Sequence, residues 1–216
     1  VLARNLCARS HVSASPFQTT MLQEITMRIV GGSLKGRNLV APAGSATRPT
    51  SDRVRESVFN ILEHAPWSPG IRGQRVLDLC AGTGALGLES LSRGAAHCLF
   101  VENDRQAQAA LRTNLDTLSQ GGVGKVSPRD ATNLGRRPHT DEAAFGLVFL
   151  DPPYSRGLAE KALVHLAEQN WLSPGAILVV ERSIDEPAIE LTGYEVLDER
   201  TYGVARVSFL RFSPPR

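Results

Sequence analysis

The feature that most constrains this chain is an alternation of strand-length apolar runs with segments of helical period. Runs at 75–80, 97–102, 125–127, 145–150 and 176–181 are each short enough for a strand, while 85–93, 104–118 and 156–169 repeat their apolar residues at helical spacing. Leu147-Val148-Phe149-Leu150 and Ile177-Leu178-Val179-Val180 carry no polar face, as expected of strands covered on both sides in a parallel sheet. Two later runs, 194–197 and 204–212, follow without an intervening helix and predict an antiparallel pair. The fold class expected is therefore α/β and Rossmann-like, with a mostly parallel seven-stranded sheet that closes in an antiparallel C-terminal edge hairpin.

With 216 residues, 42% of them hydrophobic, the chain can bury one sizeable core, so one domain with a small appendage is expected. No stretch approaches the roughly 20 uncharged apolar residues of a membrane helix. Cys7, Cys80 and Cys98 are an odd set without CxxC spacing, which fits a reducing cytoplasm, and the scattered histidines give a metal site no support. Residues 1–26 have no period and are expected to be a disordered leader, with Met27 opening the organised sequence. Residues 27–50 read as a small N-terminal β-hairpin appendage, and 51–216 as the main domain, beginning with a helix that Ser51 can cap. Net charge is only +2, but Arg28, Lys35, Arg37, Arg48, Arg53 and Arg55 cluster against just Asp52 and Glu56. That asymmetry is the footprint of a polyanion-binding face.

After the first strand, Ala81-Gly82-Thr83-Gly84-Ala85-Leu86-Gly87 matches GxGxxG, and Glu102 lies twenty positions after Gly82. The pattern is a dinucleotide fingerprint in its first reading. Glycines at such a turn, however, let the backbone approach any nucleoside cofactor, and a strand-end carboxylate such as Glu102 can accept both ribose hydroxyls. Asp78 is the odd residue of its apolar strand. It needs a partner, either the loop amides or the cationic methionine part of S-adenosylmethionine, a group NAD lacks. Asp130, with Ala131 after the third strand, is a candidate for the adenine amino group or an ordinary turn aspartate. Ala81, Gly82, Thr83 and Gly84 complete the candidate cofactor set.

Immediately after the fourth strand comes Asp151-Pro152-Pro153-Tyr154, at the end of the sheet where ligands bind in open α/β folds. An exocyclic base amine is a poor nucleophile because its lone pair is delocalised into the ring. Accepting its N–H bonds on the Asp151 carboxylate and the Pro152 carbonyl would favour a pyramidal nitrogen. The two prolines, Pro152 and Pro153, stiffen the loop, and Tyr154 can stack on the base. Methyl transfer is then largely positioning, with no metal. Trp171 and Glu181 are read as a packed aromatic and a strand-end charge.

These residues carry a resemblance. From Met27 to Phe212 the chain resembles the bacterial small-subunit (16S) ribosomal RNA guanine-N2 methyltransferases, the RsmD-like family of class I S-adenosylmethionine-dependent methyltransferases. The shared stretches are Met27-Arg28-Ile29-Val30-Gly31-Gly32, Gly36-Arg37, Arg48-Pro49-Thr50-Ser51-Asp52-Arg53-Val54-Arg55-Glu56, the glycine loop, Glu102 and Asp151-Pro152-Pro153-Tyr154. The resemblance implies transfer of a methyl group from S-adenosylmethionine to N2 of one guanine, of the position-966 type. It also implies an assembled or assembling 30S particle as partner, with the N-terminal appendage holding RNA. The motif chemistry by itself leaves adenine N6 open. Two other readings remain at this stage: a nicotinamide-dependent oxidoreductase, and a non-catalytic RNA-binding or assembly module.

Overall fold

A computed structural model describes residues 27–41, 52–138, 143–153 and 157–214. Its centre is a seven-stranded sheet in the order β3-β2-β1-β4-β5-β7-β6. The parallel strands are β1 (Arg75–Leu79), β2 (His97–Val101), β3 (Gly124–Ser127), β4 (Phe145–Leu150) and β5 (Leu172–Ser183). They are joined by α2 (Ala85–Ser92), α3 (Arg105–Thr117) and α4 (Leu158–Glu168), while α1 (Asp52–His64) precedes the sheet. The expected C-terminal hairpin is β6 (Tyr194–Tyr202) and β7 (Ala205–Phe212), with β7 inserted antiparallel between β5 and β6. β5 starts earlier than its apolar run because Leu172 already pairs with Phe145 across an irregularity in the ladder. β6 runs past Leu197 to Tyr202, and as the outer strand it is largely exposed, charged and bulged near Val196, features that discourage further strand pairing.

The sheet divides two apolar layers. Val76, Leu147, Phe149, Ile177 and Val179 pack with Val58, Phe59 and Leu62 of α1 and with residues of α2 and α3. Leu77, Leu79, Val148, Leu150, Leu178 and Val180 turn the other way, onto Ala159, Ala162, Leu163 and Leu166 of α4. Strand alternation therefore assigns Asp78, Asp151 and Glu181, by position, to the face carrying α1 and α2. Trp171 is a packing residue, as expected: it is buried, stacks on Phe145, and donates its indole N–H to the Gly135 carbonyl at 2.8 Å.

The N-terminal hairpin exists in minimal form: one antiparallel bridge between Arg28 and Asn38, closed by a 3-10 turn over Gly32–Leu34. It is not loosely attached. Ile29 and Leu39 are buried within the same apolar layer as α1 and α2. Fully buried Glu89 of α2 accepts the Val30 amide at 2.8 Å and pairs with Arg93, which reaches on to Glu63. Ser92 ties down the turn by donating to the Gly31 carbonyl and accepting from the Leu34 amide.

Candidate active site

The glycine loop leaves β1 through Cys80, whose φ of 56° is unusual for a residue with a side chain. Gly82, with φ +54, faces open space, whereas a Cβ on Gly84 would strike Leu111 and one on Gly87 would strike Phe100 and Cys98. Space is thus open beside Gly82, while at Gly84, itself at φ +80, and at Gly87 the close packing of α2 against β2 and α3 leaves no room for a side chain. Asp78, 2% exposed, accepts the Gly87 amide at 2.9 Å. Glu102 spans the crevice floor, one oxygen accepting the Gly82 amide and the other the Asp104 amide, both at 2.8 Å.

Acidity is the electrostatic character of this end of the sheet. Burial pushes the Asp78 carboxyl well above the usual range, opposed by the Gly87 amide and reinforced by Asp151 and Glu102. Burial likewise pushes the Cys80 thiol up to about 12, with Glu102, Asp151, Asp78 and Asp130 adding to the effect. Four carboxylates from four strand ends therefore act on one point beside the loop. Such a crevice favours a cationic ligand, and Cys80 is held protonated and poorly nucleophilic. Asp130 is exposed and accepts the amide and hydroxyl of Thr132, each at 2.7 Å. Those bonds, Thr132's backbone and side chain together, lower its pKa and form the turn aspartate that the sequence allowed. Buried Ala131 follows it.

Asp151 and Pro152 lie at the carboxyl end of β4, Pro152 buried and Pro153 exposed; Tyr154 is outside the described residues. Asp151 lines a cleft with Val58, Leu86, Leu150, Val179, Glu181 and Val207. Glu181, read from the sequence as a strand-end charge, also lines that cleft.

The basic cluster divides. Arg28, Lys35, Arg37 and Arg53 are exposed, with Arg28 paired to Asp52 at 3.0 Å and Arg37 donating to the Thr117 carbonyl at 3.1 Å. Arg55 is a correction: only 1% exposed, it donates from Nη2 to Asp52 and the Arg28 carbonyl, bracing α1 against the hairpin, and its burial keeps it off the surface where a phosphate would bind. Burial lowers its pKa, against the pull of Asp52 and Glu89. Arg48 and Ser51 lie outside the described residues. Asn114 was missed altogether. From α3 it accepts the Val40 amide at 2.7 Å and donates to the Val40 and Thr83 carbonyls at 3.0 Å, latching the hairpin to the glycine loop. Thr83 in turn donates its hydroxyl to the Met27 sulfur at 3.3 Å. An amide side chain in the middle of an amphipathic helix, where propensity disfavours it, was the available signal.

Residues 27–211 match the family described as Conserved hypothetical protein 95. The chain belongs to this family. It is also 40% identical over 161 residues to ribosomal RNA small subunit methyltransferase D of Escherichia coli, covering 74% of this chain and 76% of that protein. To the enzyme of the same name from Haemophilus influenzae it is 37% identical over 179 residues, 82% of this chain and 90% of the other. The solved structure of yhhF from Escherichia coli superposes with a TM-score of 0.76 at 34% identity, covering 88% of this chain and 99% of that one. Family membership agrees with the class I methyltransferase architecture of the sheet and places the Conserved hypothetical protein 95 match over hairpin, crevice and proline motif alike.

Proposed function

We propose that this chain transfers the methyl group of S-adenosylmethionine to the exocyclic N2 of a specific guanine in small-subunit ribosomal RNA, acting in the cytoplasm on a 30S particle or its precursor. The observation that carries this reading is the placing of carboxylates around the glycine loop: Asp78 accepts the Gly87 amide, Glu102 accepts the Gly82 amide, and Asp151 stands next to Cys80 in the register of β1 and β4. The residues present fit the cofactor. Gly82 leaves open space where a nucleoside can lie against the backbone, Glu102 borders it as a ribose acceptor, and Asp78 offers negative charge to a cationic amino acid portion. Asp130 and Ala131, which follow β3, would border the adenine end.

A pyrophosphate fits poorly, which disfavours the nicotinamide reading. The third amide of α2, where a dinucleotide fingerprint holds its anion, is already taken by the Asp78 carboxylate. The relatives named ribosomal RNA small subunit methyltransferase D support RNA as the substrate and favour an enzyme over a bare assembly module.

The cofactor, when bound, supplies an electrophilic methyl on a sulfonium, whose C–S bond breaks as the N–C bond forms. Asp151 and the Pro152 carbonyl accept the two N–H bonds of the target amine and aim its lone pair, and the Asp151 carboxylate takes the proton that the methylated nitrogen sheds. Pro153 stiffens the loop, and Tyr154 stacks on the base. Arg28, Lys35, Arg37, Arg48 and Arg53 hold phosphates. The test is methyl transfer to particles from cells lacking the gene, with the modified base mapped by mass spectrometry. Asp151→Ala should lower kcat at least about 100-fold, in the range of a lost proton acceptor. Wild-type turnover in that variant would overturn the assignment.

A further inference from the structure

Arg182 has no part in the function proposed above, and the interior leaves it poorly satisfied. It lies near the carboxyl end of β5 and is only 1% exposed. Its Nη1 donates to Glu160 Oε1 at 3.1 Å and to the Pro187 carbonyl at 2.6 Å. Its Nε and Nη2, together with Oε2 of Glu160, are buried without a hydrogen-bond partner among the described residues. An ion pair joined by one contact, with three buried polar atoms unmet, holds a fold together less well than apolar side chains of similar volume. Packing alone therefore does not explain an arginine at this position.

Its place in the sheet does. The ladders of β4 with β1 and with β5 both end at Leu150, whereas β5 stays paired with β7 as far as Ser183. Pro152 and Pro153 have no N–H with which to continue the ladder, so the motif must take its support from elsewhere. Two places beyond the pair of Leu150 with Val180, Pro152 and Arg182 fall opposite one another. Strand alternation puts both on the face of Leu150, Val180 and α4. The motif runs on into α4, whose first turn has no side-chain cap from Gly157 and contains Glu160. Arg182 thus ties to β5 both the helix that follows the motif and, through Pro187, the loop that follows β5. We infer that Arg182 is a positioning residue: through Glu160 it fixes the far end of the proline motif, so that the Asp151 carboxylate and the Pro152 carbonyl keep their aim at the target amine. This rests on the methyltransferase reading. Methyl transfer is largely positioning, and a misplacement of about 1 Å can cost about 100-fold in rate.

The chemical step is read as the single-turnover rate at saturating S-adenosylmethionine, on particles from cells lacking the gene. Arg182→Met should lower that rate at least about tenfold. Its affinity for the cofactor, measured by calorimetry, should stay within about twofold of wild type, because the glycine loop belongs to β1. Its Tm should hold or rise: the unmet donors are gone, and Glu160, with 29% of its side chain exposed, can turn to water. A double variant, Arg182→Met with Glu160→Leu, replaces the whole pair by apolar groups and keeps the test standing if the single variant does not fold. It should lose as much rate as the single variant and no more, because both residues act through one tie. A wild-type rate in either folded variant overturns the positioning role. So does a loss of rate that only accompanies a fall in Tm and in cofactor affinity, and both results leave the enzyme assignment standing. A wild-type protein that transfers no methyl group to the particles overturns both.

Discussion

Asp78 shows how a single carboxylate can favour a ligand at the expense of the fold. Its raised pKa means that, between the ordinary value of about 3.9 and the folded value, the native chain holds a proton the unfolded chain has released. The contribution of this group to stability is therefore greatest below that window, declines as pH rises through it, and stays low above. Asparagine would keep an acceptor for the Gly87 amide and remove the charge. Asp78→Asn is expected to stabilise the ligand-free protein at neutral pH and to flatten the pH dependence of its Tm. The same variant should bind S-adenosylmethionine at least about tenfold more weakly, as a lost charge-assisted contact would. Thermal melts and calorimetric titration read the two effects separately, and wild-type binding should strengthen as pH rises through the Asp78 titration.

Elements were legible where their period was regular. The parallel strands, α2, α3, α4 and the terminal hairpin all follow from apolar runs and helical spacing, because a strand covered on both faces has no alternative pattern. What the sequence concealed were long-range partners. Asn114 lies 74 residues from Val40 and 31 from Thr83, and Glu89 lies 59 from Val30, so no local window contains their reasons. Arg55 was more accessible: with Val58, Phe59 and Leu62 it completes an i, i+3, i+4, i+7 stripe, and reading its charge before its position made it a surface residue. Gly84 and Gly87 carried a ligand motif, and packing against Leu111, Phe100 and Cys98 is a second demand on the same two glycines that no local window shows. Because Asn114 joins α3, hairpin and loop, Asn114→Ala is expected to lose about 1–2 kcal/mol, since it removes hydrogen bonds to part-buried backbone groups. Chemical denaturation measures that loss, and a raised KM for S-adenosylmethionine would report the released Thr83 carbonyl.

At the scale of the molecule, the glycine loop, the end of β4 that carries Asp151 and the exposed cations belong to one body. The charge is modest overall, so RNA affinity should depend on the few cations that remain accessible after Arg55 is withdrawn. Arg37→Ala is expected to weaken RNA binding and to reduce the slope of log affinity against log salt by about one, as the loss of one phosphate contact would. Titrations at several salt concentrations decide it; an unchanged slope would remove Arg37 from the interface. The Arg28–Asn38 bridge has a consequence for how such binding would be shared between partners. Since Ile29 and Leu39 have already surrendered their freedom to the interior, the segment carrying Arg28, Lys35 and Arg37 has little backbone entropy left to lose on docking. At this segment, then, any reshaping on docking would fall to the partner rather than to the hairpin.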